Sequence, residues 1–297
     1  MKQEETTTPV VDETTPEETM EIQTPTAPEI NYEFLDGRPL SKTSLMEFRK
    51  SPAHYMYYLT APKVVTPAYV LGGLIDCLVL TPELFERRYV VAPPINKMTK
   101  DGKAEWAKFK ADNIGKTIIT PDILQQASNV RDALLTNPKS SEYIHQMTTV
   151  QRQLKWEDKA TGLPFIAYTD MDGTEPDLLG ELKTTNDASP ESFARDAFKF
   201  GYHIQMALYM EAFRRKLYRF PRPVFIVAEK EAPYGVAVYD KVDPAFLKLG
   251  TQEVTKLREA FLHCMKNKLF SQSYDFGTVD GGLILDLPGW AKQKLED

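Results

Sequence analysis

Thr169-Asp170 and, after ten intervening residues, Glu181-Leu182-Lys183 are the residues whose types and spacing suggest chemistry. Alternation along an extended strand puts Glu181 and Lys183 on one face. Antiparallel pairing of strands 163–169 and 178–184 would place Asp170 beside Glu181. Two carboxylates brought together repel unless a hard cation lies between them, and Mg2+ takes oxygen ligands of this kind. A neighbouring lysine stabilises a pentavalent phosphate or helps activate water. Together these are the parts of metal-assisted phosphodiester hydrolysis. Alone, an ExK pair reads as a solvated strand edge with a weak ion pair. What turns it into a candidate site is the package of hairpin, upstream acid and a following helix carrying Tyr202-His203-Ile204-Gln205. Tyr202 and Gln205 are three apart and share a helical face, so both point to one cleft.

The rest of the chain must position that package. Ser41 reads as the N-cap of a helix through Phe48, and Ser51-Pro52 restarts helix. AYVLGGLIDCLVL after Pro67 is a buried helix, Thr81-Pro82-Glu83 another helix start, and RYVVA a β-rich segment. Residues 101–112 and 121–135 read as amphipathic helices flanking Ile118-Ile119. The middle changes character, with strands at 150–156, 163–169 and 178–184 and a loop at 171–173. A helix follows over 191–217, bent at Gly201. A strand pair at 224–228 and 235–242, a helix over 244–267 and a short strand at 283–287 complete the pattern. The order predicts one α/β core with a helical N-terminal section.

Composition narrows the function class. The 297 residues are 42% hydrophobic, enough for a packed core, and carry a net charge of −6. That total misleads, because residues 1–30 are rich in Thr, Pro and Glu and hold eight acids against one base, a net of −7. Such a segment is expected to be a disordered tail. The remainder carries a net of +1, so an anionic partner stays open. Cys77 and Cys264, far apart and without CxxC, exclude a disulfide framework and a cysteine metal cluster, and a cytoplasmic setting is expected. No apolar stretch is long enough to span a bilayer, the opening residues do not read as a charged-then-apolar leader, so a non-secreted protein is expected, and no P-loop motif is present.

SKTSLMEFRKSPAHY, LGGLIDCLVLTPELFERRYVVAPP, the Asp170…Glu181-Leu182-Lys183-Thr184-Thr185 core and YHIQMALY occur in this order. The ordered set resembles the RecE-like nuclease domain, the exodeoxyribonuclease VIII type of the PD-(D/E)xK superfamily, over roughly residues 38 to 268. The resemblance implies a mixed central sheet flanked by helices. It also implies 5′ to 3′ degradation of one strand of linear double-stranded DNA by a ring-shaped homo-oligomer. The product would pass to a single-strand annealing protein, often in a prophage recombination module. Carried over by position, Asp170 is the motif aspartate, with Thr169 where many members have Pro; Glu181 is the second acid and Lys183 the motif lysine. Gln205 with Tyr202 matches the helix motif lining the site. Asp76 stands where many relatives place a histidine metal ligand. Asp76, Asp170 and Glu181 would then bind Mg2+, or Mn2+, and the extra anion favours a hard ion.

The domain expectation is a tail over 1–30, the nuclease domain over 31–270 and a C-terminal extension over 271–297. Two alternatives stand beside the exonuclease: a catalytically altered nuclease-fold protein that binds DNA or serves assembly, and an endonuclease of the same superfamily. His54, His145, His203 and His263 lack zinc spacing, and His203 reads as a packing or a surface residue. Asp172 and Asp177 read as solvated loop acids, and Cys77 as a core residue. Lys97, Lys100, Lys103, Lys108 and Lys110 form one basic cluster, and Arg214, Arg215, Lys216, Arg219 and Arg222 a second. Both are candidate phosphate contacts, with Trp106 and Tyr218 as candidate stacking rings.

Overall fold

Small polar residues followed by proline set most helix starts. The computed structural model describes Leu35, residues 37–278, 282–287 and residue 292; the acidic segment 1–30 lies outside the described residues. Ser41 caps α1 (Lys42–Lys50) in a reciprocal box with Ser44, each side chain accepting the other's backbone N–H. Proline then opens α2 (Pro52–Thr60) and α3 (Pro67–Leu80), capped by the Ser51 and Thr66 side chains. Its missing N–H costs nothing there, and its fixed φ suits the first turn. A 3-10 turn at Pro82–Leu84 leads into the short α4 (Phe85–Arg88). β1 (Tyr89–Val91) pairs in parallel with β2 (Thr117–Ile119), with α5 (Lys100–Asp112) between them. α6 (Pro121–Thr136) follows. Next comes α7 (Pro138–Gln146), a short polar helix capped by Asn137 in a stretch to which the sequence reading gave no element.

The central sheet is mixed and runs in the order β3-β4-β5-β6-β7. β3 (Thr149–Glu157), β4 (Pro164–Thr174) and β5 (Asp177–Thr185) form an antiparallel meander. β5 pairs in parallel with β6 (Arg222–Glu229), which needs a crossover, supplied by α8 (Pro190–Lys199) and α9 (Tyr202–Leu217). β7 (Val236–Tyr239) closes the edge antiparallel to β6, and α10 (Pro244–Asn267) packs along α9. Leu71, Leu74 and Ile75 of α3 join Ala127, Val130 and Leu134 of α6 in one core cluster with Met171, Leu178, Leu182 and Ile226. The intervening β5 residues Leu179, Glu181 and Lys183 point to the opposite face, as the pleat requires.

Three local expectations are corrected. Residues 171–173 are the end of β4, not a loop, because Asp172 is fully buried between Arg152 and Arg219. Its guanidinium partners make an acid in the sheet interior tolerable. The single bent helix over 191–217 is two helices. Gly201, at φ +67, stops α8 and starts α9, and a Cβ there would lie 2.5 Å from the Met46 sulfur. Residues 283–287 are exposed and carry no strand.

Gly250 of α10 lets the two longest-packed helices touch, since a Cβ would sit 2.0 Å from the His203 carbonyl oxygen of α9. Gly250→Ala should therefore cost about 2 kcal/mol or more by forcing the helices apart. Thermal unfolding should show a midpoint several degrees lower.

Candidate active site

β4 and β5 part company where the acids lie. Their ladder runs from Thr174↔Asp177 to Met171↔Gly180 and stops there. Beyond it β4 stays with β3 while β5 stays with β6, so Asp170 and Glu181 face each other without a backbone pair between them. The Asp170 carboxylate takes the freed Leu182 N–H at 2.9 Å. On its other side, Gln151 of β3 is also left out of the ladder, with a left-handed φ of +49. Such backbone in a non-glycine residue is costly and collects at functional sites.

Glu181 is fully buried, and its two oxygens differ. Oε2 accepts from Lys183 Nζ at 2.6 Å and from Gln205 Nε2 at 2.9 Å. Oε1 is buried and has no hydrogen-bond partner among the described residues. Gln205 also donates to the Tyr209 hydroxyl at 2.9 Å, which in turn donates to the Tyr168 carbonyl. The chain Tyr168–Tyr209–Gln205 thus holds Glu181 in one orientation. Tyr202, at the first turn of α9, lays its ring 5.1 Å from Lys183 Nζ and 5.6 Å from Lys42 Nζ.

Charge dominates this cleft. Burial, then the nearby Asp170 carboxylate, push the Glu181 carboxyl up to about 8. The same two causes push Asp76 on α3 up to about 7. Lys183 is held firmly as the ammonium by Glu181 and Asp170, against the cost of its burial. Lys42, at the start of α1, is lowered to about 8 by burial and by Lys183. Its side chain makes no hydrogen bond or ion pair among the described residues.

All six residues expected from the sequence therefore reach one region: Asp76, Asp170, Glu181, Lys183, Tyr202 and Gln205. Even so, among the described residues no three His, Cys, Asp or Glu side chains close on a single point as a metal-binding group. Lys183 occupies Glu181 Oε2. The donor chemistry still fits a hard divalent cation: all-oxygen ligands, an orphaned buried Oε1, and two acids pushed toward protonation by burial and by the Asp170 carboxylate. Beside Asp76 opens a cavity of about 280 Å³ lined by Tyr69, Arg88 and Gln151, with Arg88 donating to the Gln151 side chain at 3.0 Å.

Three residues escape the sequence reading. Tyr209 stands four positions after Gln205 in the same YHIQMALY segment, and that spacing is a usable signal. Lys42 follows the Ser41 cap, and nothing local ties it to Glu181. Gln151 carries no signal at all. Conversely, Asp172 and Asp177 serve structure: Arg219 bonds both, the latter at 3.0 Å. His203 is fully buried, stacked on Phe198, as expected of a packing residue. Cys77 is buried in the core.

Residues 41–275 match the family model described as a PDDEXK-like domain of unknown function (DUF3799). The chain belongs to that family, and with it to the PD-(D/E)xK nuclease superfamily. A search of the curated proteins finds no match. Among solved structures, the chain is similar to a crystal structure named "Putative exonuclease" from Eubacterium rectale. The TM-score is 0.53 at 13% identity, over 87% of this chain and 94% of that one. The likeness bears out the expected fold, a mixed sheet flanked by helices. No described helix is long and apolar enough to cross a membrane.

A carboxyl raised in the native state stabilises the fold below its unfolded value and loses that contribution as pH rises through the raised one. For Glu181 and Asp76 the loss spans about pH 4 to 8 in cation-free protein. A divalent cation bound there offsets it. Thermal unfolding should show a larger Mg2+-dependent rise at about pH 8 than at about pH 6. Glu181→Gln should raise the cation-free midpoint at the higher pH and abolish the Mg2+ response.

Proposed function

We propose that this protein is a metal-dependent deoxyribonuclease that hydrolyses phosphodiester bonds at the ends of linear duplex DNA. The observation that carries the reading is the pairing of an orphaned, buried Glu181 Oε1 with a lysine held as ammonium two residues away. Asp76, Asp170 and Glu181 are the residues to hold the cation, Mg2+ or Mn2+, which supplies Lewis-acid polarisation of the phosphoryl oxygen and a more acidic water.

The protein's own groups account for the remaining work. Lys183 keeps its proton, so it acts by charge, stabilising the phosphate as negative charge builds, rather than as a base. Gln205 bonds Oε2 and so fixes the Glu181 carboxylate with Oε1 left as its unengaged oxygen. Tyr202 lies under both ammonium groups and confines them, a cation–π contact that keeps positive charge at the cleft. The exonuclease polarity, 5′ to 3′, and a role in making single strands for annealing belong to the same proposal and rest on the family resemblance.

Purified protein with Mg2+ should shorten linear duplex DNA and leave closed circles intact, with chelation stopping the reaction and added Mg2+ restoring it. Duplexes labelled at the 5′ or the 3′ end report the polarity. Lys183→Ala should cut the rate about 100- to 1,000-fold in protein that still shows a cooperative unfolding transition, and should lower the cation-free midpoint because Glu181 loses its buried partner. Gln205→Ala, which only positions Glu181, should cost about 10- to 100-fold. Wild-type protein inert with both Mg2+ and Mn2+ on every type of DNA end would sink the proposal.

A further inference from the structure

At the far end of α9 the surface changes chemistry. A groove of about 910 Å³ runs between that helix end and the end of β3, with Trp156 at its base and Tyr218 and Phe220 on its rim. Tyr218 is 87% exposed and Phe220 70% exposed, so neither ring is spent on the core. Arg214, Lys216 and Lys159 are exposed beside them and outnumber the one exposed acid of the lining, Glu157, and none of the three cationic side chains has a hydrogen-bond or ion-pair partner among the described residues. The indole N–H of Trp156 is buried without an acceptor among the described residues.

Neighbouring cations are different. Arg215 is bound to Asp158 and Glu211, and Arg219 to Asp172 and Asp177. The two sequence-adjacent sets thus divide into anchors and free charges. Arg219 pins the turn that presents the two rings. Tyr218 itself sits at φ +55, a left-handed C-cap position that favours glycine or asparagine, yet it carries a large ring that packs on almost nothing.

We infer that this groove is a binding site for single-stranded nucleic acid, separate from the carboxylate cleft. Free cations track a phosphate backbone, and exposed rings need unstacked base faces, which a duplex does not offer. An acidic peptide would satisfy the cations but leave both rings without partners. Along α9 the rise from Gln205 to Tyr218 puts the groove about 20 Å from the cleft. The inference stands on the groove's own chemistry and does not require that the cleft hydrolyse anything.

Fluorescence anisotropy of the full chain with a labelled oligothymidylate of about 15 nucleotides, in chelator, tests it without hydrolysis. Tyr218→Gly should weaken binding at least fivefold while leaving the unfolding midpoint unchanged or higher, since glycine relieves the left-handed backbone. Phe220→Ala should weaken it similarly, and Tyr218→Trp should retain it. Replacing both Arg214 and Lys216 by Ala should lower the slope of log affinity against log salt by about 1.4. Unchanged binding in the ring variants would overturn the inference. So would equal losses for a duplex of the same length, or binding of a peptide of residues 1–30 that the ring variants lose while the oligonucleotide is unaffected.

Discussion

Three carboxylates, Asp76, Asp170 and Glu181, share a cleft in which the buried ammonium of Lys183 is the principal compensating charge. Bringing such groups out of water is expensive, and their mutual repulsion adds to the cost. The fold meets that cost with a local surrender of sheet structure. Where β4 and β5 separate, backbone hydrogen bonding is given up, and one freed N–H, that of Leu182, is spent on Asp170. The rest of the molecule can be understood as what keeps that separation from spreading.

Below the split, Asp172 is clamped by Arg152 and Arg219, so the β4–β5 hairpin stays closed where it must. Above it, β3 and β6 each hold one of the parted strands in register. From the side, Gly201 restarts the helix at the angle that brings Gln205 onto Glu181, and Tyr209 secures Gln205 from the next turn. Removing any one of these supports would let a polar group relax toward water, where it is more stable. A buried network of this kind is sensitive to every member left unsatisfied, and among the described residues Glu181 Oε1 and Thr169 Oγ1 are buried without a hydrogen-bond partner.

Much of this was legible in the residues. Proline-led starts gave α2 and α3, and amphipathic periodicity gave α6 and α10, near their observed limits, because such signals are local. The alternation Glu181-Leu182-Lys183 placed the acid and the lysine together on one face for the same reason. What escaped depends on distant partners. Asp172-Gly173 looks like a turn until two arginines from elsewhere in the chain bury it. Lys42 is separated from Glu181 by most of the N-terminal section, and only the folded chain sets it near Lys183. The left-handed backbone at Gln151 has no compositional mark, since glutamine at that position would suit a regular strand equally well. α7 carries the same local mark as α2 and α3, an Asn137 cap followed by Pro138 in the first turn, and the sequence reading passed it over.

The contact between Gly250 and the His203 carbonyl has a dynamic meaning. Helices that meet backbone to backbone cannot slide without unpacking, so α9 moves with α10 or not at all. Adjustment within the cleft is left to side chains. Lys183 is pinned by its bond to Glu181, whereas Lys42 makes no hydrogen bond or ion pair among the described residues and can turn without breaking one. The cleft therefore sits on a stationary frame, with Lys42 as its least tethered charge.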